Sequence, residues 1–175
     1  MIFIGSNPIS RIKLKYLICI VSFMLVSYKP MTEEHLGTVI SFMKKYGKQG
    51  TGFWYNETRD SPERMRGFLE KNNELSFVAI DDARTTPSHN EVIGMILGSC
   101  DGGRTGYLQR LFVHSSYRNY GVGTGITKHA VERLISLGCK HISADLPINN
   151  EPAKKILEKL GGEKVEGFAI FDIKK

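Results

Sequence analysis

Apolar positions recur along this chain with two periods, and the switches between them lay out the elements. Residues 25–29 read as a first strand ending at Pro30. Thr32 can cap a helix whose first turn carries Glu33 and Glu34, favourable at the positive end of the helix dipole. Leu36, Val39, Ile40 and Met43 fall at helical spacing and form its inward face. The glycine-rich stretch 47–52 breaks it. Ser61-Pro62 is a cap followed by a first-turn proline, with Met65, Phe68 and Leu69 inward. Residues 75–80, 91–100 and 107–113 read as strands, and the turn Asp101-Gly102-Gly103-Arg104 joins the last two as a hairpin. A helix then opens at Gly121, with Ile126, Ala130, Leu134 and Leu137 inward and Gly138 ending it. Residues 140–146 form a strand. Residues 150–160 form a helix with Ala153, Ile156, Leu157 and Leu160 inward and Gly161 behind it. Residues 168–173 form a last strand. Antiparallel strands first, then strand–helix–strand–helix–strand, predict an α/β fold, an α+β sandwich around a mixed sheet.

Composition narrows this only slightly. A chain of 175 residues, 41% hydrophobic and 24% charged, suits one soluble domain with a sizeable core. The net charge of +6 owes half its size to Arg11, Lys13 and Lys15, in a segment without acids. The remainder is a mild bias and no footprint for nucleic acid. Cys19, Cys100 and Cys139 are widely spaced and odd in number, which indicates neither a disulfide framework nor a metal site. A reducing, cytoplasmic location is the expectation. Residues 1–23 are set apart as an extension, and 24–175 as the domain. In the extension a basic stretch at 11–15 precedes an apolar run at 16–28 too short to span a bilayer, so no membrane partner is expected. The pattern matches the first two regions of a signal peptide, but no small-x-small cleavage motif follows it. An upstream extension before a start at Met24, or an extra element packed on the domain, are the other two readings.

The stretch with the most chemistry is Tyr117-Arg118-Asn119-Tyr120-Gly121-Val122-Gly123-Thr124-Gly125, between a strand and an amphipathic helix. N–H groups at a helix start have no intrahelical acceptor and carry partial positive charge. Glycines let a diphosphate approach the main chain closely. A dinucleotide-binding turn would need its glycines directly after the strand and a third one where Ile126 stands. A methyl-donor site would match Gly121, Gly123 and Gly125, but needs a longer α/β region behind them. A P-loop would need Gly-Lys-Ser/Thr, which is absent. A glycine-rich turn with no ligand is the remaining structural reading, at a cost in helix stability.

Arg118-x-x-Gly121-x-Gly123 after Leu111-Phe112-Val113 resembles the acyl-CoA signature of the GCN5-related N-acetyltransferases, the GNAT superfamily. Asn150-x-x-Ala153, then Ile156-Leu157 and Gly161, resembles that family's N-x-x-A-x-x-L-Y-x-x-x-G segment. The entry Tyr28 to Glu34 is similar to its first strand and helix. Together these matches cover about residues 24–175. The resemblance implies the GNAT fold, with a sheet that splays after its central strand and pantetheine lying in the gap. It implies acetyl transfer from acetyl-CoA to a primary amine by direct attack, with no metal. Main-chain groups of Leu111, Phe112 and Val113 would pair with pantetheine. Arg118, Asn119, Tyr120, Gly121, Val122, Gly123 and Thr124 would wrap the pyrophosphate, and Asn150 would bond the pantetheine arm unless it is a plain helix cap. Lys154 and Lys155 would either meet the 3′-phosphate or form a solvated face.

Two departures bear on catalysis. Leu157 stands where the family often has a tyrosine acid, and Gln109 near its strand glutamate; neither can move a proton. Asp145 is the candidate base, acting through water, against a plain strand-end carboxylate. His114 has the right intrinsic pKa, against a structural role in the loop. Phe53, Trp54 and Tyr55 are candidates for the acceptor wall, against packing onto the core. The acceptor is a small-molecule or peptide amine. A CoA-binding sensor or interaction domain with weak catalysis is the alternative, and edge strands are compatible with a homodimer.

Overall fold

The computed structural model describes residues 25–46, 56–58, 60–84, 91–102, 104–144, 146 and 150–162. The extension at 1–23, the glycine-rich break at 47–52, Phe53, Trp54, Tyr55, Asp145 and the expected strand 168–173 lie outside them. Among the described residues, five strands and four α-helices follow in the order β1 (Val26–Pro30), α1 (Glu33–Tyr46), α2 (Pro62–Asn72), β2 (Phe77–Asp81), β3 (Val92–Cys100), β4 (Thr105–Val113), α3 (Val122–Ser136), β5 (His141–Ala144) and α4 (Glu151–Lys159). The sheet order is β1-β2-β3-β4-β5. The first three pairings are antiparallel and β4 with β5 is parallel. This is the mixed sheet that the element order predicts.

Strand alternation explains the layers, because successive side chains point to opposite faces. Phe77 and Ala79 of β2 join Ile93, Ile96, Leu108 and Ile142 under α3 and α4. Val78 and Ile80 join Met95, Leu97 and Phe112 under α1 and α2. Strand β2 is buried along its whole length, so it reads as an unbroken apolar run. The expected inward residues of α1 are buried, as are Met65 and Leu69 of α2, and Ile126, Ala130 and Leu134 of α3. Leu137 is the exception and is 43% exposed. The helix stops at Ser136 and turns through Gly138 at φ 89°, which carries Leu137 outward.

Two local devices were only partly legible. Ser61 caps α2 as expected, accepting from the Arg64 N–H at 3.4 Å. At α1, the buried His35 reaches back instead: its Nδ1 accepts from the Thr32 N–H at 3.1 Å and lies 2.8 Å from the Thr32 hydroxyl. Burial, set against Glu34, lowers the His35 pKa from 6.5. The folded state therefore binds a proton less readily than the unfolded chain. Stability is full above about pH 6.5 and erodes as pH falls through that value and on toward the lowered folded one. Urea midpoints between pH 7.5 and 5.5 are expected to drop, and to drop less in His35→Gln, whose amide does not titrate. The second device joins cysteines far apart in sequence. Cys139 is buried beside Cys100, with the sulfurs 3.0 Å apart, linking the end of β3 to the turn before β5.

Candidate active site

The site is shaped by a fault in β4. Met95 pairs with Phe112 but Leu97 pairs with Gln109, so β4 carries one more residue than β3 over the same span. The extra residue marks a β-bulge, which bends a strand and disrupts its ladder. Arg110 takes the strain, with φ at 57° in the left-handed region that a bulky residue rarely enters. Its guanidinium pairs with the carboxylate of Asp60 at 2.8 Å, and both side chains are largely out of water. Asp60 also accepts from the Asn56 N–H at 2.9 Å, which ties the segment before α2 to the bulge.

Among the described residues, strand β5 pairs with β4 from Thr105 to Leu108, short of the bulge. The His114 N–H donates to the Ile93 carbonyl at 2.8 Å. Alternate residues of an antiparallel ladder turn their peptide groups to opposite sides. Phe112 therefore faces β3 with its main chain, and its ring packs edge-on against Phe42, 5.0 Å between centroids. Leu111 and Val113 turn their peptide groups to the side away from β3. The Val113 carbonyl accepts there from Arg118 Nε at 3.1 Å.

The helix N-terminus lies beside this edge. Gly121 has φ 85° and caps α3 without a side-chain bond. The first intrahelical bond runs from the Gly125 N–H to the Gly121 carbonyl, so the N–H groups of Val122, Gly123 and Thr124 precede it. A left-handed residue followed by a helical one makes consecutive N–H groups converge on an anion. Asn119 is also left-handed, with φ 65°. Arg118, Asn119 and Tyr120 are exposed and Thr124 is half-buried, whereas the Val122 side chain belongs to the core, so Val122 offers the site only its backbone.

Gly123 is also small for a reason of packing. A Cβ there would lie 2.9 Å from Ile156 Cδ1 of α4 and 3.5 Å from Val113 Cγ2. The missing side chain makes room for α4 and brings the helix start against the β4 edge. Gly123→Ala is expected to cost less than about 1 kcal/mol, since an isoleucine methyl can swing aside. Gly123→Val is expected to cost about 1–3 kcal/mol through overpacking, read as a fall in urea midpoint. Gly125 likewise makes room for the Tyr28 ring.

Asn150 caps α4, accepting from the Ala153 N–H at 3.3 Å. Lys154 pairs with Glu151 at 3.3 Å, and Lys155 is exposed. Leu157 is buried in the core, and Gln109 is exposed on β4. His114 opens the connector: its Nδ1 accepts from the Ser116 N–H at 3.2 Å, and burial lowers its pKa. It serves here as a structural acceptor. Sequence reading gives no role to Asp60, Arg110, Tyr117 or Asp81. Arg110 left one signal, a charge in the middle of a strand.

The Acetyltransferase (GNAT) family matches residues 40–162, which contain the bulge, the loop and both helices behind it. The chain belongs to the GNAT family. Over 100 residues it is 30% identical to N-alpha-acetyltransferase 30 of Saccharomyces cerevisiae, a stretch of 55% of this chain and 56% of that protein. Over 58 residues it is 36% identical to the Homo sapiens N-alpha-acetyltransferase 30, covering 33% of this chain and 16% of that protein. These matches thus span little more than half of the yeast relative and less of the human one. Among solved structures, the NatC complex bound to Gag peptide and CoA superposes with a TM-score of 0.66 at 25% identity, over 81% of this chain and 86% of that one. The paia N-acetyltransferase from Thermoplasma acidophilum in complex with coenzyme A gives 0.64 at 18% identity, over 83% and 95%, a likeness of fold. The GNAT assignment bears out the fold read from the motifs. No helix of the described residues is long and apolar enough to cross a membrane.

Proposed function

We propose that this chain binds acetyl-CoA and transfers the acetyl group to the N-terminal α-amine of a peptide. The observation that carries the reading is the main chain of β4 at Leu111 and Val113, turned away from β3 and lying beside the start of α3. A donor with a peptide-like arm and a diphosphate needs those two surfaces together. Leu111 and Val113 offer outward main-chain groups to the arm, and a fixed N–H donor there polarises the thioester carbonyl. The N–H groups of Val122, Gly123 and Thr124 and the charge of Arg118 suit the diphosphate. Asn150, here a helix cap, is the residue that the family resemblance assigns to the arm.

The choice of acceptor rests on two supports. The first is the similarity to proteins named as N-alpha-acetyltransferases. The second is proton chemistry. The amine nitrogen attacks the thioester carbon, the carbon–sulfur bond breaks, and the amine must shed a proton. Leu157 and Gln109 cannot take it. An α-amine titrates near ~7.7–8.0 and a lysine near ~10.4, so at pH 7.4 roughly a quarter of α-amines but only about one lysine in a thousand is already neutral. With a leucine and a glutamine at those two positions, an amine that is already neutral is favoured. Asp145 is the residue named from sequence that can relay the proton through water.

The test incubates the protein with acetyl-CoA and two peptide sets, one with free N-termini and one blocked there but carrying internal lysines. Mass spectrometry locates the added acetyl group. Modification confined to free N-termini is expected. Modification of lysines, or of small amines only, would sink the acceptor assignment, and CoA binding without any transfer would favour a sensor domain.

A further inference from the structure

The connector between β4 and α3 has to hold two left-handed residues, Asn119 and Gly121, and three outward N–H groups in one arrangement. Glycine and asparagine both enter left-handed geometry readily, but they leave it as readily, so an exposed loop is held in one such arrangement by contacts from outside itself. Tyr117 supplies it. Its ring is half-buried against the core beneath α3, meets the His114 ring edge-on at 5.8 Å, and has Arg84 Cζ 6.0 Å from its centroid. Its hydroxyl donates to Asp81 Oδ2 at 2.5 Å.

Asp81 is the last residue of β2 and is 2% exposed. Its Oδ1 accepts from the Ala83 N–H at 3.0 Å, and Arg84 Nε lies 3.7 Å from Oδ2. Strands β2 and β4 are not neighbours, so this bond reaches across the start of β3. A short bond from a hydroxyl to a carboxylate is among the stronger kinds. Burial, and then the bond to Asp81, push the Tyr117 phenol well above its ordinary range, so it remains a donor at any physiological pH.

We infer that Tyr117 and Asp81 are positioning residues that fix the phosphate-gripping loop, setting affinity for the nucleotide diphosphate end of the acyl donor without taking part in acyl transfer. The inference rests on the reading of that loop given above. Arg118 follows Tyr117 directly, and the converging N–H groups follow within a few residues. A tethered loop is already in its binding conformation, whereas a released one must be reordered when the ligand arrives, at a cost in affinity.

Titration calorimetry with CoA, and separately with ADP, tests this on the wild type, Tyr117→Phe and Asp81→Asn, well below each protein's Tm. Tyr117→Phe is expected to weaken both ligands by about tenfold, the scale of one charge-assisted bond. Asp81→Asn, which keeps an acceptor of the same shape, should lose less. In turnover assays KM for acetyl-CoA should rise by the calorimetric factor while kcat stays near wild type. A purely structural role would lower Tm and leave both affinities within twofold, which overturns the inference. So would weakening of CoA without weakening of ADP, because the effect would then lie at the pantetheine end. A wild-type protein that binds neither ligand overturns the reading of the loop itself and the tether with it, a result visible before any variant is made.

Discussion

Replacing Asp60 by alanine is expected to lower stability by about 3–5 kcal/mol, the usual cost of stranding one member of a buried ion pair. Arg110 would keep its charge at a side-chain exposure of 15% and lose its partner at 2.8 Å. It would also keep its φ of 57°, a backbone strain of roughly 1–2 kcal/mol that the pair now holds in place. Arg110→Gly relieves the strain but strands Asp60, so it should be destabilising by less than Arg110→Met. The double variant Asp60→Leu/Arg110→Met removes both charges and should cost clearly less than the two single changes added together. Equilibrium urea unfolding of the wild type, Asp60→Leu, Arg110→Met and the double variant closes the cycle. Single changes costing under about 1 kcal/mol would mean that the bulge holds itself open without the pair.

Oxidation is expected to act in the opposite direction. Hydrogen peroxide should convert the half-buried Cys100 to a sulfenic acid, which the Cys139 sulfur then displaces; two thiols and one peroxide give one disulfide and two waters. Burial, and then Cys100, push the Cys139 thiol up to about 12, so the reaction should be slow. The sequence separation of 39 gives about 4 kcal/mol of stabilisation by loop-closure entropy. For a chain of this size that corresponds to a rise in Tm of about 8–16 °C. A Cys19→Ser background isolates the pair, and intact mass should show the loss of two hydrogens. A cross-linked protein with an unchanged Tm would show that the bond strains the end of β3 as much as it restrains the unfolded chain.

The fold was largely legible because each element announced itself locally. Leu36, Val39, Ile40 and Met43 sit at helical spacing, and all are buried. Ser61-Pro62 and Asn150 are caps in the structure as in the sequence. Strand β4 begins earlier than its apolar run suggests, at Thr105, because Thr105 and Gly106 are held by pairing with β5. Leu137 fits the helical period but falls just past the point where the helix stops. The candidate site was legible where it depends on backbone, at Arg118 to Thr124. It was illegible where it depends on partners distant in sequence. Nothing near Asp60 points to Arg110, and nothing near Tyr117 points to Asp81. The bulge was hidden for a related reason: its left-handed residue is an arginine held by an ion pair, where a glycine would have marked it.

Main-chain groups that a strand turns away from its partner form the sort of backbone row on which foreign chains pair and aggregate. Strand β4 offers a poor template. Its open row is limited to the stretch around Leu111 and Val113, and the bulge at Arg110 interrupts it on one side. Arg118 already fills the Val113 carbonyl. A long strand from another protein would find too few partners in register, whereas a short arm needs only two or three. The irregularities that shape this cleft thus also filter by length, and they guard the protein against its own opening.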